Sequence, residues 1–250
     1  MKIIFVLLLF LVSLFADTKK VYFYTPQSNI NNFKSLKVSF DAYLQKFGDY
    51  EFQAFSDKKS FENYLKDSNI IVILSSWHYM QIAKKYAIDA ELVAEKKDSI
   101  TDTKVLIGKI GTPIDGVVTS AYDDEYTHKI LDTITSKSPL TVVKVPKEID
   151  ALMSVGFEMS QFALVSQDSF RTLQKNNAFL AKDLKIFKES KASYRMLIAS
   201  KKRNHKKENI ISIFTKMDKD DDGKKILKLL DVDKLVILKK QNLQDMGGLQ

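Results

Sequence analysis

The hydrophobic residues in the first part of the chain alternate between two periods, which predicts alternating strands and helices. Short runs rich in β-branched and aromatic residues occupy 21–24, 50–55 and 70–74. Each run is followed by hydrophobic residues spaced as on one face of a helix. The run 70–74 is continuously apolar, which is typical of a central parallel strand buried on both faces. We therefore predict the order β-α-β-α-β-α up to about residue 86, then a short extended piece at 91–94.

The same alternation returns after the polar stretch 96–102. Strands are predicted at 104–110, 116–119, 141–145 and 162–165, with helices that begin at Ser120, near Ile149 and at Ser166. The remaining chain predicts a strand over 192–199, helices over 207–216 and 223–230, and a loose tail over 241–250. The pattern thus indicates two α/β units of similar size.

The N-terminus has the pattern of a cleaved secretory signal peptide over residues 1–16. Lys2 precedes an apolar run from Ile3 to Phe15, and Ala16 offers a small residue for cleavage before Asp17. The run has about 14 residues, whereas a membrane span needs roughly 20. We expect export to a bacterial periplasm. The alternative is an N-terminal membrane anchor.

The amino-acid composition excludes several classes of metal, redox and catalytic site. The chain is 45% hydrophobic and 28% charged, and it contains no cysteine. Disulfides, thiolate zinc sites, iron–sulfur clusters and cysteine nucleophiles are therefore excluded. No motif of a serine hydrolase, zinc protease or nucleotide-binding P-loop occurs in the sequence. We expect no enzymatic activity and no cofactor.

The net charge of +8 is concentrated near the C-terminus, in residues 182–250. Its densest segment, 201–207, contains no aromatic residues that would stack on bases. Because export also separates the protein from nucleic acid, we predict a solvated loop and helix start there. Docking of this segment to an acidic partner or an anionic lipid surface is the alternative.

Two further patterns resemble metal sites only in part. Asp124 and His128 share a helix face and supply at most two ligands, so an exposed ion pair is the favoured interpretation. The segment 218–223 begins like a calcium loop, but Leu229 stands where the glutamate belongs. We predict a helix-capping acidic loop there, and no metal site.

Four predicted junctions between a strand and a helix are rich in hydroxyl and aromatic side chains. Helix N-termini at the carboxyl ends of strands present unpaired N–H groups that suit an anion. A simple helix cap explains any single junction, but four of them, two in each half of the chain, indicate a cleft between two lobes. The candidate ligand-binding residues are Tyr24, Thr25, Ser75, Ser76, Tyr79, Thr119, Ser120, Ala121, Tyr122 and Ser166.

Several segments together resemble the phosphate/phosphonate branch of bacterial periplasmic solute-binding proteins. They are Ile70–Tyr79, the stretch from Leu152–Val155 into Phe162–Ser166, and Asp222–Leu227. The resemblance implies the two-lobed class II periplasmic binding protein fold, in which each lobe is a mostly parallel sheet flanked by helices and the ligand lies between them. Lobe one would comprise 17–103 and 200–250, and lobe two would comprise 104–199.

The resemblance also implies the site. In that family, hydroxyls and amides at a helix start of lobe two hold the anion, and the matching residues here are Thr119, Ser120 and Ala121; Tyr79 matches a ligand-contacting tyrosine of lobe one. One departure concerns an acidic residue that family members carry ahead of the strand ending at Ser166. Gln161 stands there, which puts binding of aminoalkyl ligands in doubt, and Glu158 is the nearest carboxylate along the chain.

The sequence thus predicts a monomeric periplasmic protein that captures a small oxyanion, namely phosphate, phosphite or a phosphonate. The membrane subunits of an ABC transporter would receive the ligand. An alternative keeps the fold but makes the chain a sensory or interaction module that presents a basic face to a membrane receptor or kinase.

Overall fold

The computed structural model describes residues 18–26, 32–136, 139–201 and 207–239. The predicted signal peptide 1–16 and tail 241–250 lie outside these residues, as does most of the basic segment 201–207. No helix in these described ranges is both long and apolar enough to cross a bilayer.

Lobe one is built on a six-stranded mixed sheet with the order β13-β4-β12-β3-β1-β2. The central run of apolar residues forms β3, which is fully buried between β1 and β12 as predicted. β1 is parallel to β2 and β3, whereas β12 and β13 are antiparallel to their neighbours. The strands are β1 Lys19–Tyr24, β2 Tyr50–Ala54, β3 Ile70–Leu74, β4 Ile88–Glu95, β12 Leu197–Lys201 and β13 Lys234–Ile237.

Helices cover both faces of this sheet. The helix predicted after the first strand ends at Leu44, and a 3-10 turn continues it to Phe47. Gly48, with φ +131°, ends this turn. Helices α1, α8 and α9 pack on one face, and α2 and α3 pack on the other. The helices are α1 Phe33–Leu44, α2 Lys58–Tyr64, α3 Ser76–Tyr86, α8 Lys207–Thr215 and α9 Asp221–Leu229.

Lobe two is built on a five-stranded mixed sheet with the order β10-β6-β9-β7-β8. β7 is parallel to β8 and β9, and β6 is antiparallel to β9 and β10. Its elements are β6 Lys104–Lys109, β7 Gly116–Ser120, α4 Asp124–Thr135, β8 Leu140–Lys144, α5 Glu148–Gly156, β9 Phe162–Ser166, α6 Gln167–Asn176, α7 Ala178–Ala181 and β10 Leu184–Glu189. The α/β class and the two lobes are as predicted, but both sheets are mixed, not mostly parallel.

A short two-stranded ribbon carries the chain between the lobes. β5 (Thr101–Asp102) leaves lobe one and pairs antiparallel with β11 (Ser193–Tyr194), which returns to it. The predicted boundary at residue 199 is too late, because β12, which begins at Leu197, already pairs with β3 and β4 of lobe one.

The predicted helix start at Ser120 is also wrong. Ser120 ends β7, and the helix begins four residues later, at Asp124. The side chain of Asp123 accepts hydrogen bonds from the amides of Glu125 and Tyr126, so this aspartate caps the helix.

Candidate functional site

A cavity of about 600 Å³ opens between the two lobes, beside the crossover ribbon. Lobe two contributes the first turn of α5 and residues along α6 as far as Asn176, and lobe one contributes the end of α9. Nine charged side chains line it: Lys96, Asp102, Lys104, Lys147, Glu148, Asp168, Arg195, Lys228 and Asp231.

Glu148, the first residue of α5, is the most enclosed carboxylate of this cavity. It is 4% exposed and accepts hydrogen bonds from the hydroxyls of Tyr122, Ser166 and Ser169 and from the amide of Ser166. Burial alone would raise the pKa of Glu148, but the charge of Lys104 and these hydrogen bonds outweigh it and lower the pKa below its usual value. Glu148 is therefore ionised and ties the strand ends of lobe two together.

Two ion pairs connect the crossover ribbon to lobe two. The ammonium of Lys104, only 2% exposed, contacts the carboxylate of Asp102. Burial opposes the charged form of Lys104, yet Asp102 and nearby groups raise its pKa above the usual value. Arg195 follows β11 and places Nη2 2.8 Å from Oδ2 of Asp168 at the start of α6. These pairs fix the position of lobe two relative to the ribbon.

The carboxylates and the cations of the cavity differ in how they are partnered. Each carboxylate has hydrogen-bond or ion-pair partners within the protein, including Asp231, whose Oδ2 lies 2.6 Å from Nζ of Lys96. In contrast, the two exposed lysines Lys147 and Lys228 form no ion pair within the described part of the chain. The charge that is left without an ion pair among these lining residues is positive.

Three of the ten predicted ligand-binding residues line this cavity, namely Thr25, Tyr122 and Ser166. Ser166 also caps α6 by accepting from the amide of Ser169, as its position predicted. The hydroxyls of Tyr122 and Ser166 donate to Glu148, so their protons are already engaged. These two residues form the wall of the cavity.

Thr119, Ser120 and Ala121 do not line the cavity, and they are at least 96% buried. The hydroxyl of Thr119 lies 3.1 Å from the carbonyl oxygen of Phe162 and donates within lobe two. The hydroxyl of Ser120 lies 3.2 Å from that of Thr127 and accepts from the amide of Tyr122. Both hydroxyls bond to the chain itself.

Ser75, Ser76, Tyr24 and Tyr79 also lie outside the cavity lining. Ser75 caps α3 by accepting from the amide of His78, and Ser76 donates to the carbonyl of Tyr194 in the crossover ribbon at 2.6 Å. The hydroxyl of Tyr79 accepts from a backbone amide of β4. Tyr24 packs edge-on against His78. These contacts organise lobe one and its connection to the ribbon.

The two lobes touch each other at the start of helices α3 and α4. The ring of Trp77 lies 5.1 Å from that of Tyr126, and Lys58 forms an ion pair with Glu125 at 2.9 Å. The amide of Asp123 donates to the carbonyl of Pro26 at 2.8 Å. Since the chain has one tryptophan, this contact carries its only indole fluorophore.

The two positions that the family resemblance singled out for a carboxylate, Gln161 and Glu158, do not line the cavity. Gln161 accepts from the amide of Val117 at 2.8 Å, and Glu158 pairs with Lys109, at the end of the lobe-two sheet away from the cavity. Glu148 was missed because its donors are distant along the chain. The one local signal was an acidic residue directly after Pro146 and Lys147, at a helix start.

Two of the remaining sequence patterns have structural roles, whereas the predicted ion pair of Asp124 and His128 is not formed among the described residues. Asp220 caps α9 by accepting from the amides of Asp222 and Gly223, which confirms the capping interpretation of the acidic loop. Lys201, at the start of the basic segment, donates to the carbonyl oxygens of Leu65 and Tyr86. Lys201 thus stabilises lobe one.

Comparisons with solved structures show the same fold. The XAC2383 protein of Xanthomonas citri, solved with chloride, has a TM-score of 0.69 at 12% identity, over 93% of this chain and 97% of that one. The binding-protein component of a phosphonate ABC transporter from Pseudomonas aeruginosa has a TM-score of 0.66 at 13% identity, over 92% of this chain and 85% of that one.

A further similar structure is PhnD1 of Prochlorococcus marinus in complex with methylphosphonate, with a TM-score of 0.65 at 10% identity, over 93% of this chain and 96% of that one. No family model matches the sequence, and no curated protein matches it. The chain therefore has the two-lobed fold of periplasmic solute-binding proteins.

Proposed function

We propose that this protein is a periplasmic solute-binding protein that captures a small oxyanion, namely phosphate, phosphite or a phosphonate, and delivers it to the membrane subunits of an ABC transporter. The observation that carries the proposal is the charge of the cavity between the lobes. Its carboxylates are partnered within the protein, while Lys147 and Lys228 form no ion pair with any residue that the structure describes. Two proteins of the same fold are, by their descriptions, a phosphonate-transporter component and a methylphosphonate complex.

The two lysines belong to different lobes. Lys147 is the N-cap position of α5 in lobe two, and Lys228 lies in the last turn of α9 in lobe one. An anion that contacts both is bound more tightly when the lobes are close together. Its differential affinity then shifts the population toward the closed form.

The N-terminus of α5 adds to the attraction of an anion. Among the described residues no side chain caps the helix at Lys147, and the start of the helix lines the cavity, so the positive end of the helix dipole attracts an anion there. Thr25, Tyr122 and Ser166 form the surrounding wall and would restrict the size of the ligand.

Anion titrations followed by Trp77 fluorescence and calorimetry test the proposal. Phosphate, phosphite, methylphosphonate, aminoethylphosphonate, sulfate and acetate are compared on the chain from Asp17 onward. We expect saturable binding of the phosphorus oxyanions. A ligand at about 100 times its Kd should also stabilise the fold by roughly 2.7 kcal/mol.

Two sets of variants locate the site. Lys147→Ala and Lys228→Ala should each weaken oxyanion binding by about tenfold or more, in line with the loss of a charge-assisted hydrogen bond. Ser120→Ala is the matched comparison: the cavity site predicts an unchanged Kd, whereas the helix-start site inferred from the family resemblance predicts weaker binding. Normal affinity in both lysine variants would refute the cavity site, and no binding of any panel member would refute oxyanion capture.

A further inference from the structure

The cavity between the lobes is much larger than an inorganic oxyanion. Its volume of about 600 Å³ corresponds to about twenty water molecules at about 30 Å³ each. Volumes of about 300–1,000 Å³ are typical of sites for organic ligands. The lobes already touch, since Trp77 packs against Tyr126 and the amide of Asp123 donates to the carbonyl of Pro26. Phosphate or phosphite alone would therefore fill only a small part of the space that remains with the lobes in contact.

Lobe one contributes a group of apolar side chains to the cavity. They belong to, or pack against, one hydrophobic core of lobe one, and they are Met196, Leu229, Leu230 and Val232. Leu230 is buried, whereas Met196, Leu229 and Val232 are only partly buried. We call these four residues the apolar wall, and three of them have apolar surface left for contact with a ligand.

The turn that ends α9 holds most of the apolar wall in place. The amide of Asp231, a residue with φ +57°, donates to the carbonyl of Lys228. The amide of Val232 donates to the carbonyl of Leu227 at 3.0 Å. These are the bonds of a Schellman turn, which brings the residue after the left-handed position back onto the helix. Lys228, a cation available to an oxyanion, thus directly precedes apolar surface that is available to a substituent.

The part of the cavity that lobe two contributes is mostly polar. Its uncharged polar residues along β9 and α6 are Ser166, Ser169, Thr172 and Asn176. Its aliphatic member is Ile149, which is 41% exposed in the first turn of α5, two residues after Lys147. Apolar surface therefore lies next to both of the lysines that form no ion pair among the described residues.

The carboxylates of the cavity do not favour a cationic substituent. Asp231 lies within the sequence of the apolar wall, but its Oδ2 is 2.6 Å from Nζ of Lys96. An ammonium group on the ligand would have to displace Lys96 or lie unpaired against apolar side chains, which is costly. A neutral substituent requires neither change.

We propose that the ligand is a phosphorus oxyanion with a neutral, apolar organic substituent larger than methyl, such as an alkylphosphonate or the corresponding phosphate ester. This inference rests on the proposed function, and it names the class of oxyanion. The oxyanion group lies between Lys147 and Lys228, and the substituent covers the apolar wall. Each further methylene that is buried there leaves water and adds affinity, until the wall is covered.

A series of phosphonates of increasing length tests the proposal. Calorimetry measures the binding of phosphate, phosphite and methyl-, ethyl-, propyl- and butylphosphonate to the chain from Asp17 onward. We expect affinity to rise by about three- to fourfold per methylene, so that butylphosphonate binds roughly 30-fold or more tightly than methylphosphonate. Propylphosphonate should also bind more tightly than aminoethylphosphonate, which has the same length but carries an ammonium group. Butyl phosphate, compared with pentylphosphonate, then distinguishes an ester from a phosphonate, and tight binding of either supports the inference.

Two substitutions and a matched control locate the substituent. Val232→Thr and Leu229→Asn put polar side chains of nearly the same shape into the apolar wall. Each should reduce the preference for butylphosphonate over methylphosphonate by about threefold or more. Val236→Thr is the control, because this valine of β13 is also partly buried in lobe one but does not line the cavity. It should keep the full preference, and equal melting temperatures confirm that the variants are folded.

Three results would overturn this inference and leave oxyanion capture in place. The first is binding of phosphate or methylphosphonate that is as tight as that of butylphosphonate. The second is tighter binding of aminoethylphosphonate than of propylphosphonate. The third is an equal loss of preference in Val236→Thr. Absence of binding by every member of the series would instead refute the proposed function, and this inference with it.

Discussion

Replacement of Glu148 by glutamine tests the inference that a buried, ionised carboxylate holds the cavity wall together. Glutamine has the same shape but keeps one acceptor oxygen and replaces the other by a donor. The donors from Tyr122, Ser166 and Ser169 converge on both oxygens of Glu148. Some of them would therefore face an NH₂ group in a site that is 4% exposed.

The size of the effect follows from these contacts. Hydrogen bonds to a charged group contribute about 1.5–3 kcal/mol each, and removal of one partner from a buried charged set costs about 3–5 kcal/mol. We expect Glu148→Gln to lower the free energy of unfolding by about 3–5 kcal/mol. At roughly 2–4 °C per kcal/mol for a chain of this size, Tm should fall by about 6–20 °C.

The pH dependence gives a second readout. The pKa of folded Glu148 lies below its usual value of 4.5, so its stabilising contribution is present above pH 4.5 and is lost as the pH falls through the folded pKa. The difference in Tm between the two proteins should therefore shrink in acid.

Thermal unfolding by circular dichroism measures both effects. Glu158→Gln is the matched control, because Glu158 is exposed and its ion pair with Lys109 lies on the surface. A Tm for Glu148→Gln within about 2 °C of the unaltered protein would refute the reasoning, since that is less than 1 kcal/mol. So would an equal loss in Glu158→Gln.

Three further substitutions test the packing of lobe one. Gly223→Ala should lower Tm although alanine favours helix, because its Cβ would lie 2.3 Å from the carbonyl oxygen of Met217; an unchanged Tm would contradict this. Tyr43→Phe removes the 2.7 Å hydrogen bond from the Tyr43 hydroxyl to the buried carbonyl of Ile213 and should cost about 0.5–1.5 kcal/mol in urea unfolding. Burial lowers the pKa of His78 below 6.5 despite Glu62, so stability should fall below pH 6.5. His78→Phe should remove that part of the slope in melts between pH 7 and pH 5.

The sequence predicted the elements whose burial is uniform or strictly periodic. Ile70–Leu74 is apolar at every position and is the buried strand β3 between two neighbours. Helix α1 buries Leu36, Phe40, Tyr43 and Leu44, whose spacing of three or four residues is typical of one helix face. In both cases a single local pattern determines the element.

Two of the edge strands, β10 and β13, were not predictable in the same way. β10 at Leu184–Glu189 alternates only as far as Ile186, where its pairing with β6 shifts register. β13 is a four-residue edge strand with only Leu235 buried. Because half of such a strand faces solvent and its partner is distant along the chain, no local period identifies it. Their antiparallel pairings add to those of β12 with β3 and β4 and of β6 with β9, which already make both sheets mixed.

Hydroxyl-rich strand ends have two uses that look alike in a sequence. Ser75 and Ser166 cap helices, and Thr119 and Ser120 bond to neighbouring segments inside lobe two. In each case a nearby amide, carbonyl or hydroxyl competes with any ligand for the same oxygen. Only the folded chain shows which partner is present.

Nothing in the sequence distinguishes the two lysines of the cavity from the other basic residues. Lys147 and Lys228 are unremarkable in a chain with 39 basic residues, yet folding brings them to the same cavity from opposite lobes. An ammonium group has no acceptor capacity, so a lysine without an ion pair at a cavity whose acids are partnered attracts anions alone. The proposed class of ligand thus rests on the charges that folding leaves unpaired among the described residues, and the hydroxyls form the wall around them.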